Sequence, residues 1–259
     1  MTGEPRPGDA FGEVLRAALA QHRGQEQARS IGGLRPRPVV EIVERDDGFI
    51  RGGPAAWYLA GPEEWWPSER KALERIEGRV LDIGAGAGRV ALALQERGVD
   101  VTALDPSGGA VEVALELGVR SVVQETVEGH LPSGERYDSF VLFGNNLGLL
   151  GPREHAHRFL ADLAALARPG ARVFAQGTDP HHSNDPLNLA YHERNRERGR
   201  LPGLYRQRVR FRDLATGYLD YLLCSAAELE ELVAGTGWAL VDVDEQDAPL
   251  LVATLVREG

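Results

Sequence analysis

Apolar and polar positions follow two rhythms along the chain, and the change between them marks its organisation. From Asp9 onward, Phe11, Val14, Leu15, Ala18 and Leu19 recur three and four apart, which predicts one amphipathic helix stopping near Gly24. "PVVEIVERDDGFIRGG" reads as strand, Asp-Gly turn, strand. Trp57, Tyr58, Trp65 and Trp66 then precede a helix over about 68–77. From residue 79 the pattern becomes regular: "RVLDIG", "DVTALD", "RSVVQE", "YDSFVLFG" and "ARVFAQG" are short apolar runs, with helical segments between most of them. Such runs are strands buried on both faces, so the expected fold class is α/β with a doubly wound parallel sheet. The last two runs, "WALVDVDE" and "APLLVATLVRE", are separated only by a tight polar turn and pair antiparallel. The sheet therefore holds seven strands: five parallel ones and a reversed C-terminal hairpin.

Four segments follow. Residues 1–67 form a tail, helix and hairpin that cap the core, with 1–8, rich in Pro and Gly, expected to be disordered. Residues 68–177 are the Rossmann-like core, 178–224 an insertion after the fifth parallel strand, and 225–259 the helix and strand pair that complete the sheet. An insertion of that length is too long for a plain connection and is expected to be functional.

Composition narrows the function classes. A formal net charge of −10 argues against nonspecific wrapping of nucleic acid. No apolar run approaches the roughly 20 residues that span a bilayer, and the first ten residues lack a signal-peptide core, so a cytoplasmic protein without a membrane partner is expected. Cys224 is the only cysteine, which excludes an internal disulfide. Lys71 is the only lysine, whereas Arg, Ala, Gly and Leu are abundant, the mark of GC-rich codons. Arginine counts carry correspondingly less weight.

The chemistry concentrates in "VLDIGAGAGR", residues 80–89. A strand, a glycine turn and a helix N-terminus aim backbone N–H groups at a ligand. A dinucleotide fingerprint G-x-G-x-x-G places its third glycine at position 89, where this chain has Arg89. Here the glycines are Gly84, Gly86 and Gly88, and Asp82 precedes them. That acid repels a pyrophosphate and holds an ammonium group, so the ligand is zwitterionic or cationic at the turn. Asp105 closes the next strand, where an acid accepts hydrogen bonds from both ribose hydroxyls. A nucleoside with an amino-acid tail meets both demands.

On these residues the sequence resembles the class I S-adenosylmethionine-dependent methyltransferases, over 68–177 and the terminal hairpin. "RPGARVF" is similar to the family's Pro-Gly turn before strand 5. The resemblance implies S-adenosylmethionine as cofactor, contacted by Asp82, Gly84, Ala85, Gly86 and Gly88, and by Asp105 with Pro106. It also implies an adenine contact from Glu125, followed by Thr126 and Val127, with Glu128 competing for the role and a solvated loop acid as the plain alternative. Asn145 and Asn146 fall where the family approaches the methionine moiety, although an Asn pair in a turn is equally explained by tolerance of unusual backbone angles. The Asn-Pro-Pro-aromatic motif of methyltransferases acting on nucleobase or glutamine amides is absent.

The insertion supplies the substrate candidates. Arg206, Arg208, Arg210 and Arg212 alternate along a strand and share one face. They form either a lid that clamps an anionic acceptor or a solvated face, salt-bridged to the acidic body or to a second subunit in a homodimer. Trp65 and Tyr191 are further substrate candidates, the tryptophan with core packing as its alternative. His181 and His182, with Asp179 as an alternative, are the candidate general bases, and Tyr191 and His192 are further candidates that reach in from the lid. No metal is expected, since His181, Asp185 and His192 fit no ligand spacing. The expected activity is methyl transfer to oxygen or nitrogen of a small, metabolite or natural-product acceptor. The alternatives are a nicotinamide-dependent oxidoreductase, disfavoured by Arg89 and Asp82, and a noncatalytic S-adenosylmethionine sensor with its cleft filled by Trp65, Trp66 or the lid.

Overall fold

In the computed structural model, residues 4–31 and 37–258 are described. The chain opens with β1 (Arg6–Pro7), α1 (Ala10–Ile31), β2 (Val40–Arg45), β3 (Ile50–Pro54) and α2 (Pro67–Leu73). The alternating core follows as β4 (Arg79–Ile83), α3 (Arg89–Glu96), β5 (Asp100–Leu104), α4 (Gly108–Glu116), β6 (Val122–Val123), α5 (Val127–His130), β7 (Tyr137–Leu142), α6 (Arg153–Leu166) and β8 (Ala167–Thr178). The insertion contributes α7 (Pro186–Glu197), β9 (Leu204–Phe211), β10 (Leu214–Ala215) and β11 (Leu219–Leu222). The chain closes with α8 (Ala226–Val233), β12 (Trp238–Asp244) and β13 (Leu250–Arg257).

The core sheet runs β12-β13-β8-β7-β4-β5-β6. Its five central and edge strands β8, β7, β4, β5 and β6 are parallel, β13 is antiparallel to β8, and β12 is antiparallel to β13. Both faces are buried, which is why the strands read as unbroken apolar runs. Leu81, Ile83, Phe140, Leu142 and Val173 meet α6 and α8 on one side. Val80, Val101, Val141 and Phe174 meet α2 and α3 on the other. Trp238 fills the first layer, its indole N–H donating to the Leu160 carbonyl at 2.9 Å.

A second sheet roofs the carboxyl edge of the first. Its order is β1-β10-β9-β2-β3, with β11 pairing farther along the edge of β9 that β10 occupies, opposite β2. The N-terminal hairpin and the insertion, far apart in the chain, thus share one sheet, because each leaves an open strand edge that the other satisfies. The terminal tail is not disordered through residue 8: Arg6 and Pro7 pair in parallel with Leu214 and Ala215. Residues 1–3 lie outside the described part. Helix α1 also continues through Gly24 to Ile31, since one helical glycine costs only about 1 kcal/mol. No helix among the described residues is long and apolar enough to cross a membrane.

Helix α1 is the wedge between the two sheets. Leu15 and Leu19 pack with Ala110 and Val113 of α4. Val14 and Ala18, one step around the helix, pack with Val209 and Phe211 of β9. The crossing with α4 needs bare backbone: a Cβ on Gly109 stands 2.5 Å from the Gly12 Cα. Gly109→Val is therefore expected to lose about 1–3 kcal/mol of unfolding free energy, the usual cost of overpacking. Urea titration measures it, and an unchanged midpoint would show that α1 is free to move off α4.

Candidate active site

One cavity of ≈ 1210 Å³ lies between the carboxyl edge of the core sheet and the roof. Its floor is the turn between β4 and α3. Gly84 N–H and Ala85 N–H both donate to the Leu104 carbonyl, at 2.8 and 3.1 Å, which folds the turn back over β5. Gly84 has φ +66°, and a Cβ there stands 2.6 Å from Asn146 Nδ2. Gly86, at φ +56°, lines the cavity with only the Phe11 ring near its missing side chain. Gly88 does not line it: a Cβ there collides with Val119, so this glycine serves the approach of α3 to the segment after α4.

Asp82 and Asp105 are both buried behind this turn. Asp105 Oδ2 accepts the Gly86 N–H and its Oδ1 accepts the Ser107 N–H, each at 2.8 Å. Asp82 is different, because its Oδ2 is buried with no hydrogen-bond partner. Burial pushes the Asp82 carboxyl up to about 7, with Asp105 adding to the push; Arg89 and the Ala91 backbone N–H pull the other way. Arg89 is itself held by Glu69 at 2.5 Å and stands over the Trp65 ring, 4.5 Å from its centroid. Pro106 lines the cavity beside Asp105.

Asp9 also reaches this end, and nothing in the sequence pattern singled it out. Its carboxylate accepts hydrogen bonds from Gly12 N–H, Ser107 Oγ and Gly109 N–H, all at 2.9 Å, joining α1 to the start of α4. Burial pushes its pKa up, but the Gly109 and Gly12 N–H bonds, Ser107 and Arg16 outweigh that, and the group lies below its ordinary value.

Glu125, Thr126, Val127 and Glu128 all line the far end, facing His155, Arg158, Phe159 and Asp162 of α6. The Thr126 hydroxyl caps α5 by accepting the Gly129 N–H at 3.1 Å. Asn145 and Asn146 line the wall between the glycine turn and the roof. Asn145 takes a left-handed backbone, φ 70°, and its side-chain oxygen accepts from the Thr178 hydroxyl at 2.9 Å. Asn146 Nδ2 donates to the Ile83 and Gly84 carbonyls at 3.1 and 2.9 Å, strapping the loop after β7 to the glycine turn.

The roof presents the face opposite to the arginine stripe. Strand register puts Arg51, Val43 and Val209 on one face, with Gln207 beside Leu219 on the same side. All five line the cavity, together with Glu41, Tyr58 and Tyr221. The Tyr58 hydroxyl donates to Glu41 Oε2 at 2.8 Å and the Tyr221 hydroxyl to the Asn145 carbonyl at 2.6 Å. Burial pushes both phenols above their ordinary value. The other face carries the arginines: Arg208 and Arg210 pair with Glu44 at 2.7 and 3.2 Å, and Arg206 pairs with Asp220 at 3.4 Å. Arg208 alone of the three borders the cavity, with its Nε committed to Glu44.

The other candidates fall elsewhere. His181, His182 and Asp179 do not line the cavity: the His181 Nε2 lies 3.2 Å from Glu228, the His182 side chain is 52% exposed, and Asp179 caps the intervening turn through the His181 N–H. Tyr191 is buried in the insertion with its hydroxyl on Asp46, under the Arg45 guanidinium, and His192 bonds to Tyr205. Trp65 is 3% exposed and packs edge to face on Phe143, in the core. The residues that pattern reading missed are Asp9, Glu41, Arg51, Gln207 and Tyr221; of the four N-terminal aromatics that could line a pocket or pack the cap, Tyr58 lines the cavity. For Glu41 and Gln207 the alternation of β2 and β9 was the one hint, and alternation does not say which face is inside.

Comparison with known proteins agrees with this geometry. The family description "Methyltransferase domain" matches residues 65–243, well over half of the chain. A ubiquinone biosynthesis O-methyltransferase of Serratia proteamaculans is 34% identical over 143 residues, covering 46% of this chain and 58% of that protein. The chain spans about half the length of the curated relatives it matches. In fold, it is similar to a Bacteroides fragilis S-adenosylmethionine-dependent methyltransferase solved with S-adenosylhomocysteine, with a TM-score of 0.77 over 97% of this chain and 95% of that one at 23% identity. A Burkholderia thailandensis 1,6-didemethyltoxoflavin-N1-methyltransferase, solved with its substrate and S-adenosylhomocysteine, gives 0.51 at 25% identity over 74% of this chain and 79% of that one. The strand order, the reversed β13 and the family match together make this chain a member of the class I S-adenosylmethionine-dependent methyltransferases.

Proposed function

We propose that the protein transfers a methyl group from S-adenosylmethionine to an oxygen or nitrogen of a small acceptor, a metabolite or natural product. The observation that carries this reading is the continuity of the cavity from Asp82, the glycine turn and Asp105 to the roof residues Glu41, Arg51 and Tyr221. Its ≈ 1210 Å³ exceeds the roughly 300–1,000 Å³ of a site for one drug-sized ligand, so cofactor and acceptor fit side by side. Names among the relatives include both an O- and an N-methyltransferase, which supports either acceptor atom.

The residues present suit the cofactor. The unpartnered Asp82 Oδ2 matches an ammonium group, and Gly86 offers bare backbone to a ligand. Asp105 spends one lone pair per oxygen on backbone N–H groups and retains others for ribose hydroxyls. Glu125 takes the adenine amino group, Ala85 and Pro106 shape the pocket, and Asn145 and Asn146 set the wall along the methionine end. The cofactor supplies an electrophilic methyl on a sulfonium. The chain's task is alignment away from water, an effect worth about 7–11 kcal/mol at best. Of the roof cations that line the cavity, Arg51 makes no ion pair among the described residues, and it meets an acidic or polar group of the acceptor in place of the arginine stripe.

Two observations weigh against the other readings. Trp65 lies in the core, and Trp66 stacks on Trp57 at the surface with ring centroids 6.4 Å apart, so neither fills the cleft as a sensor would require. The buried acid beside the turn opposes a nicotinamide cofactor's pyrophosphate. The absence of a nucleic-acid partner belongs to the same reading, on the net charge of −10, and a cytoplasmic location is proposed with it. Homodimerisation through the outer arginine face is read by sedimentation of an Arg208→Glu variant. Isothermal titration with S-adenosylmethionine, S-adenosylhomocysteine and NAD tests the whole: micromolar binding of both adenosyl ligands and none of NAD is expected, and binding of NAD alone overturns it.

A further inference from the structure

Glu41 stands apart from the other acids of the roof. Glu44 is paired with Arg208 and Arg210, Asp46 accepts from Tyr191, and Asp47 is paired with Arg45 and Arg194. Glu41 faces the cavity in no ion pair, with Oε2 held by the Tyr58 hydroxyl and Oε1 bonded to nothing among the described residues. Burial pushes its carboxyl above the ordinary range, while Tyr58 and Arg51 restrain the rise.

Two aromatic rings set its place over the floor. Tyr58 packs edge to face on Phe11, with centroids 5.3 Å apart, and Phe11 in turn lies against Gly86 of the glycine turn. On the other side Tyr221 bonds to the Asn145 carbonyl, and its ring rests on Gly148, both in the segment after β7. Glu41 therefore overlooks the gap between the glycine turn and the loop after β7. In the methyl-transfer reading, that gap holds the sulfur and the departing methyl.

We propose that Glu41 is the general base of the transfer, with Tyr58 as the residue that positions it. The inference rests on the methyl-transfer reading of the cavity. The acceptor's O–H or N–H proton passes to Glu41 as the acceptor's lone pair bonds to the methyl carbon. The carbon–sulfur bond breaks with its electron pair kept by sulfur, which becomes a neutral thioether, and the protonated Glu41 later releases its proton to water. This assigns the acceptor to hydroxyls and amines that are not already deprotonated, since a carboxylate or thiolate gains nothing from a base.

The test needs no acceptor. Sinefungin carries an ammonium-bearing carbon where S-adenosylmethionine has its methylated sulfonium, and S-adenosylhomocysteine carries neither charge there. In isothermal titration, Glu41→Gln is expected to weaken sinefungin roughly tenfold, the order of one lost charge-assisted contact, and to leave S-adenosylhomocysteine unchanged. Equal effects on the two ligands, or none, overturn the proposal. Wild-type protein that binds neither overturns the methyltransferase reading instead.

Should the variant fail to fold, the wild type answers through pH. The charged and titratable groups facing Glu41 are Tyr58 from the turn after β3, Tyr221 from β11 and Arg51 from β3; the phenols, pushed up by burial, stay neutral. Asp82 titrates too, but it meets the ammonium tail common to both ligands and cancels in their ratio. The preference for sinefungin over S-adenosylhomocysteine is expected to fall as pH drops and Glu41 takes a proton. Tyr58→Phe moves that fall to higher pH, because it removes a bond to the charged form. A ratio that stays flat as pH falls from about 8 through the ordinary carboxyl value of 4.5 contradicts the proposal.

Discussion

Asp105→Ala is expected to weaken S-adenosylhomocysteine binding by about a hundredfold or more in isothermal titration. The carboxylate has two jobs at once. It accepts the Gly86 and Ser107 N–H groups, which fixes the glycine turn against the start of α4, and it retains lone pairs for two ribose hydroxyls. Hydrogen bonds to a charged group contribute about 1.5–3 kcal/mol each, so losing two to the ligand accounts for roughly a hundredfold, and loosening the turn adds to it. Asp105→Asn keeps the volume and one acceptor oxygen, so its loss is smaller than that of the alanine variant. A dissociation constant within threefold of wild type for Asp105→Ala would mean that the ribose lies elsewhere and that the cofactor has been placed wrongly.

The second large effect is a pH dependence of cofactor affinity that belongs to Asp82. In the ligand-free protein this carboxyl titrates near 7, because burial disfavours its charge. Only the carboxylate pairs with the ligand's ammonium. Affinity for S-adenosylhomocysteine is therefore full above about pH 7 and falls by up to roughly tenfold for each pH unit below it, as a proton must be expelled on binding. The folding linkage has the opposite sign. A carboxyl whose folded pKa is raised stabilises the protein most below its unfolded value of 3.8, and that contribution is lost as pH rises through about 7. The ligand-free melting temperature should thus lose ground from this group over the same interval in which the thermal shift given by S-adenosylhomocysteine grows. Asp82→Asn removes both trends. Persistence of the affinity trend in that variant would assign the proton to another group, with Asp105 the nearest alternative.

Much of the core was legible because its signals are local. Apolar runs such as "VLDI" and "SFVLF" register burial on both faces, and the glycine turn announces itself because Gly84, Gly86 and Gly88 all need positive φ. Within that turn, the pattern did not separate Gly86, which faces the cavity, from Gly88, which makes room for Val119. Asp82 and Asp105 were legible for the same local reason: each ends a strand next to a turn.

The roof was legible only in pieces. The hairpin at 40–54 and the alternating strand at 204–211 were both readable as strands, but their pairing joins residues such as Glu44 and Arg208 that no local rule connects. Alternation in β9 separates two faces without naming the inner one. The arginines invited the role of clamp, but the fold ties them to Glu44 and Asp220, with Arg208 alone bordering the cavity, and leaves Gln207 and Val209 over it. His181 and His182 follow a strand end in the manner expected of catalytic groups, yet the turn at 180–182 carries them away toward α8.

From its sequence alone, then, this protein has a seven-stranded sheet, a ligand turn and two acids at strand ends, because strand periodicity and positive-φ glycines are imposed by forces acting over a few residues. Which side chains face the acceptor was settled by the packing of α1, the hairpin and the insertion against one another. A strand's two faces are equivalent in sequence until something distant buries one of them, and a one-residue change of register exchanges them entirely.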